Sequence, residues 1–145
     1  MQNRKGFTLI ELLVVVLIIG ILASVAIPQY FKVVEKGRAS EAISILSSVC
    51  AAQERELLRN GSFATSTLNL DINVPVMKFF NAPVLTAGAA GTGAGATITI
   101  QRKAANPAPP AAFGAYTMTL TYAGAGVKTI TCATAGTDPC TSLVP

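Results

Sequence analysis

Lys5-Gly6-Phe7-Thr8-Leu9-Ile10-Glu11, running straight into an apolar stretch that ends at Ile27 before Pro28, decides how the rest of the chain is read. From Phe7 to Ile27 there are 21 residues, and Glu11 is the one charge among them. At about 1.5 Å of rise per residue, a helix of that length covers roughly 31 Å, enough to cross a bilayer's hydrocarbon core. A carboxylate inside such a span costs about 2.5–3.5 kcal/mol even on insertion scales, so Glu11 reads as a functional group that needs a partner. Arg4 and Lys5 precede the run, which by the positive-inside rule leaves the N-terminus in the cytoplasm. A secretory signal would be shorter and followed by a small-x-small cleavage site.

Beyond the apolar run the helical signal continues. Pro28 removes one backbone hydrogen bond and crowds the preceding turn, so a kink is expected there. Ile43, Leu46, Cys50, Gln53 and Leu57 recur at spacings of three and four, flanked by Ala39, Ala42 and Val49, which marks one buried helix face. Asn60-Gly61 is a C-terminal stop. One helix from about Phe7 to Asn60 is predicted, with a transmembrane or assembly segment at about 7–28 and a second half lying under a head at 62–145. In the head, Leu68 to Ile72 is a short apolar piece of the connecting loop, and Ala87 to Ala96 is a low-complexity run of Ala, Gly and Thr. Three strands follow by their polar–apolar alternation: Thr97–Gln101, Tyr116–Tyr122 and Val127–Cys132, the last two joined through Gly124-Ala125-Gly126. A half-buried antiparallel sheet packed on the helix stripe is the architecture these imply, of class α+β.

Several function classes are excluded by composition. There is no histidine, and from Ser62 onward the acids are Asp71 and Asp138. That is too little for a paired-carboxylate active site, a calcium cage or a zinc site, so neither an enzyme nor a metal or other cofactor is expected. The formal net charge of +4 is small and scattered, and no nucleic-acid contact is evident. The adjacent pair Arg102-Lys103 reads as a solvated strand end. The glycines from Gly88 to Gly95 lack the Lys-Ser/Thr ending of a phosphate loop.

The ordered motif Gly6-Phe7-Thr8-Leu9-Ile10-Glu11-Leu12 resembles the processing signal of type IV pilins and the related type II secretion pseudopilins. The detailed likeness covers Lys5 to Tyr30. It implies the pilin fold, a cleaved leader at 1–6, cleavage between Gly6 and Phe7 by a prepilin peptidase, and N-methylation of Phe7 by the same bifunctional enzyme. It also implies a partner for Glu11: the charged amine freed at Phe7 of a neighbouring subunit, an ion pair that sets register in an apolar filament core. The implied partners are then identical subunits in a helical filament, an inner-membrane assembly platform, and the lipid bilayer before assembly. The implied location is the inner membrane, single-pass with a cytoplasmic N-terminus, then an extracellular pilus or a periplasmic pseudopilus.

Cys132 and Cys140 enclose seven residues that include Gly136 and Asp138-Pro139, and a bridge between them resembles the C-terminal disulfide loop of many type IV pilins. In the entropic account such a loop is worth about 2–3 kcal/mol. Cys50 on the helix stripe then reads as a buried free thiol, although a Cys50–Cys132 staple between helix and sheet is an open alternative. The major subunit of a type IV pilus is the reading these features favour. The alternatives are the major pseudopilin of a type II secretion system, whose usual acidic calcium loop is not matched here, and a minor pilin.

Overall fold

Helix α1 runs from Leu9 to Asn60 as a single element of 52 residues, and it does not break at Pro28. This is a computed structural model, and it describes residues 6–88, 95–105, 108–110, 113–123 and 126–134. The first half of α1 is apolar on every side, and its Leu, Val and Ile side chains are exposed through Ile27. It is the one helix among the described residues long and apolar enough to cross a membrane. A helix suits that setting because it satisfies its own backbone hydrogen bonds. The C-terminal stop is as predicted: Gly61 has φ +70°, and its N–H donates to the Leu57 carbonyl at 2.8 Å, a left-handed cap that glycine adopts without a Cβ penalty.

The chain divides into two compact units, Met1–Val34 and Glu35–Pro145. Within the second, a 3-10 turn at Thr67–Asn69 leads to four strands: β1 Val84–Ala87, β2 Ala96–Gln101, β3 Tyr116–Ala123 and β4 Val127–Thr134. They form one antiparallel sheet in the order β1-β2-β3-β4. Strand β1 was not anticipated, because it is four residues long and leads into the Ala/Gly-rich run. The register explains the threonine alternation. Leu85, Ile98, Leu120 and Ile130 pair across all four strands, and Thr86, Thr97, Thr121 and Thr129 form the adjacent row. The apolar rows meet the helix: Ala39, Ala42, Leu46, Val49 and Cys50 share one core with Ile98, Ile100, Met118 and Leu120. Small alanines at two of these helix positions let the sheet approach closely.

The helix face that is buried begins earlier than the apolar stripe suggests. Glu35 is its first residue, and Ala39, Ala42 and Val49 lie at its centre. Ile43 and Leu57 are half-buried at the margin. Arg102 corrects a second expectation. It follows β2, pairs with Phe80 in an isolated bridge, and is 1% exposed, so it is no solvated strand end.

Candidate functional site

Two groups of residues carry chemistry, one in each unit. At the start of α1, residues 6–8 lie outside the helix and are exposed, so the Gly6–Phe7 bond sits in open, non-helical backbone. A Cβ built on Gly6 meets nothing within 4 Å. The fold therefore does not require glycine here.

Thr8 and Glu11 close a reciprocal cap. The Thr8 N–H donates to Glu11 Oε2 at 2.8 Å, the Thr8 hydroxyl donates to the same oxygen at 2.7 Å, and the Glu11 N–H donates back to Thr8 Oγ1 at 3.3 Å. This capping box satisfies donors that the first helical turn leaves open. Within the lone chain, Glu11 thus already has a partner in Thr8. Its pattern, threonine followed three residues later by glutamate before an apolar run, was legible in Thr8-Leu9-Ile10-Glu11. Among the described residues no donor reaches Oε1, so one carboxylate oxygen is left for an outside group.

The second group lies in the head. Glu35, on α1, accepts from Arg102 Nε at 2.7 Å and from the Tyr116 hydroxyl at 3.0 Å, both on Oε1, and from Arg38 at 2.9 Å on Oε2. The Glu35 and Arg102 side chains are both sealed from solvent. Arg102 also donates to the carbonyls of Phe79 and Lys103, and its backbone N–H donates to the Tyr116 carbonyl. Burial pushes the Glu35 carboxyl up, but the bonds from Arg102 and Tyr116, the Arg102 charge and the bond from Arg38 outweigh it and hold the group below its usual range. Burial and the neighbouring carboxylate push the Tyr116 phenol up. The result is a lock between helix and sheet with a charged acid at its centre.

Further along α1, the Gln53 side chain both donates to and accepts from the backbone of Ala64, at 2.7 and 2.8 Å. This ties down the loop that leaves the helix. Arg55 holds Asp71 with two bonds, at 2.6 and 2.7 Å, which keeps the Asp71 carboxyl below its usual range. Lys128 on β4 reaches Glu54 at 3.0 Å. Cys50 is a buried free thiol, so no staple joins it to Cys132. Cys132 is half-buried on β4 against the core, and Cys140 lies outside the described residues. Pro28 is inside α1. No cluster of metal-binding side chains occurs among the described residues.

The N-terminal geometry coincides with a known signature. Residues 1–27 match the model of the prokaryotic N-terminal methylation motif. A fimbrial protein of Pseudomonas aeruginosa is 42% identical over 71 residues, covering 49% of this chain and 46% of that protein. The N-terminus of the chain is similar to that of fimbrial proteins and type IV pilins. The pilin likeness extends to the type IV major pilin protein PilA of Myxococcus xanthus, 50% identical over 52 residues, with 36% of this chain and 24% of that one covered. The fimbrial protein EcpC of Eikenella corrodens is 36% identical over 101 residues, with 69% of this chain and 65% of that one covered. The chain spans about half the length of the first of these relatives and less than two thirds of the others. No solved structure matches it. The long apolar helix and four-stranded antiparallel sheet are consistent with an α+β pilin fold.

Proposed function

We propose that the chain is a structural subunit of a type IV pilus, processed at its N-terminus and assembled through α1. The observation that carries this is the Gly6–Glu11 segment: an accessible Gly6–Phe7 bond followed by a helix start at which Glu11 keeps one oxygen open. A prepilin peptidase would hydrolyse that bond on the cytoplasmic side and methylate the freed Phe7 nitrogen. Removing residues 1–6 takes Arg4 and Lys5 with it and leaves a cationic amine at Phe7. The amine of a neighbouring subunit then meets the open Glu11 oxygen in an apolar filament core, where the pair fixes register more than it adds stability. Before assembly, the exposed apolar half of α1 is covered by the inner-membrane bilayer, with its N-terminus cytoplasmic. After assembly, the same surface is covered by other copies. A bend at Pro28 would tune how those copies stack.

The Cys132–Cys140 bridge belongs to this reading, and the free, buried state of Cys50 supports it by leaving those two cysteines for each other. The relatives are fimbrial proteins and pilins by name, which favours a pilus over a secretion pseudopilus. Shearing surface filaments and weighing their subunit tests the proposal. The mature chain should begin at N-methyl-Phe7 and contain a Cys132–Cys140 linked peptide, and Gly6→Val should leave full-length precursor in the membrane. A filament subunit that still begins at Met1 would refute it.

A further inference from the structure

Tyr30 and Phe31 stand at the end of the apolar run. They are 66% and 48% exposed, and their rings meet edge to face with centroids 6.0 Å apart. Gln29 is the first polar residue after the run, and Lys32, also exposed, is the first cation beyond it. Tyr30 lies 23 residues past Phe7, about 34 Å of helical rise. With the Phe7 end at one face of a hydrocarbon core of roughly 30 Å, these residues emerge at the opposite face. That layer favours side chains with an apolar body and a polar end, and a lysine beside it can reach lipid phosphates.

We infer that Tyr30, Phe31 and Lys32 form an anchor in the headgroup layer of an anionic phospholipid bilayer, and that this anchor fixes the depth of α1 before assembly. The inference rests on the membrane-spanning reading of residues 7–27 and goes beyond it. The aromatic pair wedges at the acyl–carbonyl boundary, the Tyr30 hydroxyl faces water or ester carbonyls, and the Lys32 ammonium sits among phosphates. Neither ring belongs to the buried core of the head, so packing within the chain's own core does not account for two large exposed aromatics here. Processing removes Arg4 and Lys5 from the other end of the span, so in the mature chain the nearest side-chain cation flanking the span is Lys32.

The chain has no tryptophan, so Leu22→Trp gives a single reporter of depth. The full processed chain carrying it is reconstituted sparsely in phosphatidylcholine–phosphatidylglycerol vesicles whose acyl chains are brominated near the headgroup or near the chain end. Replacing the pair (Tyr30→Ala with Phe31→Ala) should let the helix sink and lower the ratio of shallow to deep quenching by roughly twofold. Lys32→Gln should lower it in those vesicles and leave it unchanged in pure phosphatidylcholine. An unchanged ratio in every variant, with the reporter still quenched, overturns the anchor and leaves the spanning helix standing. A reporter that no brominated lipid quenches overturns the span, and the anchor with it.

Discussion

Arg102 has no water to fall back on, and neither does the acid it holds. Removing one partner of a buried ion pair leaves the other uncompensated at a cost of about 3–5 kcal/mol, far more than the pair contributes against an apolar replacement. Arg102→Ala should therefore lower the thermal midpoint of the detergent-solubilised chain sharply. Exchanging both partners for apolar residues (Glu35→Leu with Arg102→Met) should restore much of it. The same lock has a pH signature. The Glu35 carboxyl is depressed in the folded chain, so its stabilisation is complete above the usual glutamate value of about 4.3. It drains as the pH falls from there and is gone below the folded value. Calorimetry across the acid range should show that limb, and Glu35→Gln should flatten it. At the other end of the chain, Glu11→Val should insert readily yet yield little sheared filament relative to the membrane pool, with Glu11→Asp intermediate. Normal yield from Glu11→Val would mean that the carboxylate does not direct docking. Single residues were also the hardest scale to read from sequence. Glu35 is 67 positions from Arg102, and no local pattern joins them. Arg102 beside Lys103 at a strand end has the look of a solvated pair, whereas Thr8 and Glu11 were three residues apart and could have been recognised as a cap.

Elements were legible in proportion to their periodicity. Helix α1 and strands β2 to β4 declared themselves through repeats of three-to-four and of two, because each turns one face to a common core. Strand β1 carries a single buried side chain before its last residue, Leu85, which is too short a signal to separate from loop. The connection between α1 and the sheet depends on Gln53, whose amide acts as a surrogate strand for Ala64. Ala64 is buried, so truncating Gln53 strands both a donor and an acceptor, each worth about 1–3 kcal/mol. Gln53→Ala should make the segment after Gly61 an early site of limited proteolysis while β2 and β3 stay protected. Gln53→Glu keeps the acceptor and should fall between the two. Equal protection in all three chains would show that the loop is held by other contacts, such as Arg55 on Asp71.

At the scale of the molecule, the division at Val34 and Glu35 sets where the chain can be cut. A truncated chain starting at Val33 retains Glu35 and Arg38 and should yield a folded head without detergent. One starting at Ala39 loses both, leaves Arg102 buried beside no carboxylate, and should melt many degrees lower or aggregate; circular dichroism compares them directly. The strand order carries a different consequence, one of timing. In β1-β2-β3-β4 each strand pairs with the one made just before it, so the sheet can zip up from neighbouring hairpins with little loop-closure entropy. The connections of long sequence separation are those from α1, and the lock among them needs Arg102 just after β2 and Tyr116 at the start of β3. In the proposed topology, with the N-terminus left in the cytoplasm, the residues of α1 would precede every strand across the membrane, so Glu35 would arrive on the far side before its partners. Until β3 follows, docking the helix would bury that acid alone. A head delivered in that order would stay open until the start of β3, with Tyr116, had crossed.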